Sequence, residues 1–123
     1  MSEDAFELCG TLLERLAYRL LAMELNSALE EKFGSWRNRR QHVDDLIRNS
    51  SIVVWMIRNA VAHDLLEPIW KIDDPTLQNP KFSIADVIVF DTTGLNGRPI
   101  QRMDFSGPIA LFKLSEKLIH LLS

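Results

Sequence analysis

The sequence predicts a mainly α fold, an antiparallel helical bundle with a small antiparallel β-hairpin or sheet inserted before the C-terminal helix. Three observations lead there. Apolar residues recur at the three-four spacing of amphipathic helices near the N-terminus, again from Ile52, and again near the C-terminus. Pro68, Pro75 and Pro80 break regular structure between the second and third of these runs. Inside that broken region lies DVIVFD, Asp86 to Asp91, a short β-branched run followed by the turn residues TTGLNG.

Size and composition set the outer bounds. A chain of 123 residues fits one domain, residues 1–123, and one core. With 46% hydrophobic and 25% charged residues it reads as globular rather than disordered. A net charge of −3 excludes a general pull toward nucleic acid, but Arg37, Arg39, Arg40, Arg48 and Arg58 form a local basic zone against Asp44 and Asp45. A single cysteine, Cys9, excludes an internal disulfide and a cysteine-rich zinc site, and it is expected to pack in the core. The start, MSEDAFE, lacks a signal-peptide pattern, and no apolar run reaches membrane-spanning length. A cytoplasmic protein without a membrane partner is expected.

The elements follow in order. Ser2 is placed to cap a first helix, with Glu3 and Asp4 in the turn where negative charge suits the dipole. Ala5, Cys9, Leu12, Leu13, Leu16, Leu20 and Met23 mark its apolar stripe, widened by Leu8, Leu21, Leu25 and Leu29. The helix is expected to run to Phe33 and stop at Gly34, with room for a bend at Asn26 and Ser27. Ser35 to Gln41 reads as a basic connection, and Val43, Leu46 and Ile47 as a short second helix. Asn49, Ser50 and Ser51 offer caps for a third helix that must fail before Pro68. Ile69 to Ile72 reads as a short strand. Asp86 to Asp91 and Arg98 to Met103 read as a paired hairpin turning at Asn96-Gly97, with Pro99 favouring an edge. Ser106 is a candidate cap for a last helix entered at Pro108, whose face carries Leu111, Leu114, Leu118, Leu121 and Leu122.

The third helix carries the functional signal. On a wheel of ~100° per residue, Val53, Val54, Ile57, Ala60 and Val61 fall within roughly 60° of one direction and should be buried. Trp55, Arg58, Asn59, Ala62 and His63 share the other side. A tryptophan and an alanine opposite the core read as a second interface, with Trp55 and Ala62 as dimer contacts. Arg58 and His63 diverge by ~140° on the helix, but an arginine can bend back across Ala62.

The run RNAVAH, Arg58 to His63, resembles the Arg-x4-His motif of the HEPN superfamily, with Asn59 at the polar position after the arginine. The resemblance covers roughly residues 1–68; the β insert, approximately 69–103, departs from the family's minimal pattern. It implies a HEPN-like bundle and a metal-independent endoribonuclease of the toxin or defence kind, working as a homodimer with two motifs facing each other. Carried onto this chain, it implies Arg58 and His63 as the catalytic pair and Asn59 as their polar support. It also implies a nucleotidyltransferase-like antitoxin as protein partner. The alternative is a non-catalytic HEPN-like dimerisation or ligand- and partner-binding module.

The chemistry is coherent. Attack of a ribose 2′-hydroxyl on the adjacent phosphate needs a base, an acid and positive charge on the phosphorane. Histidine serves either proton role near neutrality, and arginine grips phosphate oxygens with a planar fork. One copy offers a single motif histidine; two copies offer two histidines and two arginines. The same residues also admit structural roles. His63 near a helix C-terminus is favoured when protonated, Arg58 has Asp64, Glu67 or Asp45 to pair with, and Trp55 has the core.

The basic stretch has the same two readings. Trp36, Arg37, Arg39 and Arg40 are candidates to hold RNA, phosphates on the arginines and a base on the indole. Otherwise they form a solvated connection with its tryptophan tucked inward. His42 and His120 lack metal-ligand spacing, so neither metal nor cofactor is expected. TTGLNG joins strand to strand and is a turn rather than a phosphate loop. Asp91 and Asp104 read as isolated carboxylates.

Overall fold

The computed structural model describes residues 2–62, 64, 66–78, 80–84 and 87–122. Its fold is mainly helical with a two-stranded antiparallel sheet before the last helix. The first helix, α1 (Glu3–Phe33), starts where expected: the Ser2 hydroxyl accepts the amide of Ala5 at 3.2 Å. It stops at Gly34, whose φ of 97° is natural for glycine and whose amide reaches the Glu30 carbonyl at 2.9 Å. The helix is unbroken through Asn26 and Ser27.

The face it buries is the widened edge of the expected stripe and not its centre. Leu25 and Leu29 are buried together with Tyr18, Ala22 and Asn26, whereas Cys9, Leu13 and Leu20 are exposed. The helix is apolar on two opposite sides, so spacing fixes both stripes without saying which is covered. The covered side carries polar atoms that find partners: the Tyr18 hydroxyl bonds Glu14, and the Asn26 carboxamide receives Arg39.

Two boundaries also move. The supposed connection contains a short helix, α2 (Trp36–Arg39). The separate second helix and its successor are one helix, α3 (Asp45–Ala62). Asp44 caps it, its carboxylate accepting the Ile47 amide at 3.1 Å, and Ser50 and Ser51 are fully buried inside it rather than capping a later start. Val53, Val54, Ile57, Ala60 and Val61 are buried, as the wheel requires, and Ile47, Ile52 and Met56 are buried with them. No helix among the described residues is long and apolar enough to cross a membrane.

The β element pairs differently from expectation. Strand β1 (Lys81–Ile84) runs antiparallel to β2 (Ile88–Asp91), with Phe82 opposite Phe90 and Ile84 opposite Ile88, all four buried. Arg98 to Met103 is not the partner of β2. Pro99, which has no amide to donate, forms only a bridge with Ile69, and Arg102–Phe105 coils into a 3-10 turn. Ile69 to Ile72 binds the turn rather than a strand: Gly97 donates to the Trp70 carbonyl at 2.8 Å, and Ile72 to the Asn96 side chain at 2.9 Å.

Trp70 ties this insert to the bundle. Its ring is fully buried against Phe90 and Phe105, and Phe105 meets Tyr18 of α1 edge-on at 5.3 Å. The Trp70 indole donates to Asp104 at 2.7 Å, and the same carboxylate oxygen accepts the Gln101 amide at 2.8 Å. Asp104 is therefore not an isolated carboxylate. The last helix, α4 (Pro108–Leu122), buries Leu111, Leu114 and Leu118. Ser106 does not cap it: at φ 70° its hydroxyl bonds both the amide and the carbonyl of Val89 at 3.0 Å.

Replacing Asp104 by alanine strands the indole N–H and the Gln101 amide, and hydrogen bonds to a charged group are worth about 1.5–3 kcal/mol. Asp104→Ala is expected to destabilise the fold by about 2–3 kcal/mol in urea denaturation, and Trp70→Phe in the Asp104→Ala background to add little for the lost indole bond.

Candidate functional site

The outward side of α3 presents Trp55, Arg58, Asn59 and Ala62, each half-buried. Trp55 does not stand clear as an open dimer contact. Its ring lies flat against Trp36, centroids 4.7 Å apart and planes 6° from parallel. Each ring carries a guanidinium: Arg40 lies 5.5 Å from the Trp36 centroid and Arg58 5.2 Å from that of Trp55. Helical spacing builds both pairs, since Trp36 and Arg40 are four apart and Trp55 and Arg58 three apart.

The partner of this stack, α2, is held by Arg39. That side chain is fully buried, its Nε donating to the Gly34 carbonyl at 2.8 Å and its Nη2 to Asn26 at 3.1 Å. Burial lowers its pKa, with the Glu30 charge opposing the shift. Arg39 is an internal strut, not an RNA-facing residue, which corrects the expectation for the basic stretch. Arg37 is exposed, while Trp36 and Arg40 are half-buried.

Arg40 is anchored too. It pairs with Asp74 and donates to the Thr76 hydroxyl at 3.2 Å. Asp74 also receives the Thr76 hydroxyl at 2.7 Å and the Thr76 amide at 2.9 Å. The hydroxyl, the amide and Arg40, in that order, hold its carboxyl below the usual carboxylate range.

Arg58 is less encumbered. Its Nη1 donates to the Asn59 side chain at 3.3 Å. Two of the carboxylates considered for it are engaged elsewhere: Asp45 pairs with Arg48, and Asp64 accepts the amides of Leu66 and Glu67. His63 lies outside the described residues.

Asn59 sits where two concavities meet, together with Lys71 and Asp73. The smaller, about 210 Å³, is walled by the two tryptophans and Arg40. The larger, about 490 Å³, reaches over Trp70 to Asp64 and Glu67. One end thus offers the stacked tryptophans and the Arg40 guanidinium; the other combines the apolar Ala60, Ile69 and Trp70 with the carboxylates of Asp64 and Glu67, and Lys71 and Asp73 lie between.

Lys71, Asp73 and the pairing of the two tryptophans were not singled out from sequence. The repeated Trp-then-Arg spacing was the available signal for the stack; nothing local marks Lys71 or Asp73, which only folding carries to Asn59. No family model, curated protein or solved structure matches this chain.

A carboxyl with a lowered folded pKa adds stability that is present above its ordinary value near 3.9 and lost as pH falls through the folded value. Acid titration of the wild-type chain is expected to lose Asp74's contribution in that window. Asp74→Asn should be less stable at neutral pH and show a shallower acid loss, read by denaturant midpoints against pH.

Proposed function

We propose that this chain is a HEPN-like, metal-independent endoribonuclease of the toxin or defence kind, cleaving RNA at a composite site in a homodimer. The observation that carries the reading is the position of Arg58. Its guanidinium is held over Trp55 and beside Asn59, both of which line the stacked-ring cleft, and is engaged by no carboxylate among the described residues.

In this reading the tryptophan pair holds Arg58 in place, and Arg58 takes the scissile phosphate and the charge of the phosphorane. His63 moves the proton, with the second copy's motif supplying the complementary acid or base. Asn59 orients Arg58. A nucleotidyltransferase-like antitoxin is the protein partner and the cytoplasm the compartment that this reading implies.

A second reading is supported by the basic stretch itself. Arg39 is internal and Arg40 is committed to Asp74, which leaves Arg37 as its exposed cation. That depleted surface suits a non-catalytic dimerisation or ligand- and partner-binding module.

One experiment separates them. Purified chain incubated with single-stranded RNA and a chelator is expected to cleave, and Arg58→Ala or His63→Ala to reduce the rate by roughly 10²–10⁴-fold. RNA binding or self-association without cleavage, unchanged by His63→Ala, identifies the module instead.

A further inference from the structure

We propose that the uncovered side of α1 is a coiled-coil seam that binds the α1 of a second copy of this chain, the two helices running parallel. Phe6, Cys9, Leu13, Leu16, Leu20 and Met23 follow one another in alternating steps of three and four. That is the heptad spacing of a supercoiled pair, with Phe6, Leu13 and Leu20 at a and the other three at d. All six face solvent: Cys9 is exposed, and the other five are between 38% and 71% exposed. Tyr18, Ala22, Leu25 and Leu29 hold the opposite side against the body. The seam residues themselves are therefore left open to a second helix.

The flanks choose the partner and its direction. Arg19 lies at g and Glu24 at e, with Ala5 and Leu12 on the first flank and Gly10 and Ala17 on the second. In a parallel pair each g position faces the e position five residues on in the other helix. Arg19 then meets Glu24 of the second copy twice over, and the small residues let the backbones approach. Reversing one helix sets Glu24 against Glu3, a like-charge contact.

Area points the same way. The seam exposes roughly 500 Å² of apolar side chain per copy, so a pair buries about 1,000 Å² before the flanks are counted, the threshold of a specific interface. Acidic neighbours, Glu3, Asp4 and Glu7, disfavour an anionic membrane as the occupant. The proposal concerns a different helix from the Arg58 site and does not rest on the ribonuclease reading.

Sedimentation equilibrium of the full chain over a dilution series tests it. The wild type is expected to self-associate, and Leu13→Glu with Leu20→Glu to weaken that association and abolish cross-linking through Cys9, with unchanged circular dichroism since both positions are exposed; association through the Arg58 side of α3 gives no Cys9 link. Arg19→Glu and Glu24→Arg should each weaken the dimer roughly five- to tenfold, and the double swap should restore it. A short bis-maleimide should link two copies through Cys9, which faces itself in the parallel register. A monomer at every concentration, or vesicle binding in place of self-association, overturns the proposal. So does a Cys9 cross-link that survives the Leu13 and Leu20 changes. Loss of either the Cys9 link or the charge-swap rescue overturns the parallel arrangement.

Discussion

The helix from Asp45 to Ala62 has to be enclosed on most of its circumference, and the rest of the molecule is arranged to do it. Ile52, Val53, Val54, Met56, Ile57, Ala60 and Val61 leave almost no polar surface over three turns. Burying such residues is worth about 1.5–3 kcal/mol each relative to exposure, more than any surface ion pair in the molecule can contribute. One side is closed by α1, another by α2 and a third by β1. What remains open in its C-terminal half is the narrow strip from Trp55 to Ala62, and the polar groups of the candidate site sit on that strip.

Enclosure by so short a helix as α2 needs an anchor. Four residues cannot bury enough apolar surface to hold themselves, and α2 is pinned instead by the buried guanidinium of Arg39 across Gly34 and Asn26. A buried charge is costly unless satisfied, and here two of its nitrogens are, while Nη1 has no partner among the described residues. The same strut positions Trp36 to lie flat on Trp55. The aromatic surface of the site is thus a by-product of how the bundle is closed, and it is as rigid as that closure.

The helices were largely legible because their signals are local. Ser2, Gly34 and the α3 stripe depend on neighbours three or four residues away, and the structure repeats them. Pairing across the chain was not legible. Strand β2 pairs with Lys81–Ile84, a segment not read as a strand from sequence, instead of Arg98–Met103, where Pro99 lacks an amide and Trp70 draws the turn inward. The site divided along the same line. Arg58 and Asn59 were found from a run of six residues, whereas the Trp36–Trp55 contact and the removal of Arg39 from the surface are tertiary outcomes. No three-four count registers them.

The most instructive failure is α1, because the error was about occupancy rather than periodicity. A helix with apolar residues on one side has one place to go. A helix with two such sides specifies two contacts, and a single domain of this size supplies only one. The body took Tyr18, Ala22, Leu25 and Leu29, a side that also carries Asn26 and so accommodates the Arg39 strut. The stripe from Phe6 to Met23 is the more regular of the two, and it ends before the level at which Asn26 meets the strut. The Arg39–Asn26 contact and the burial of Tyr18, Ala22, Leu25 and Leu29 act together on one side of α1, and the heptad is left outside.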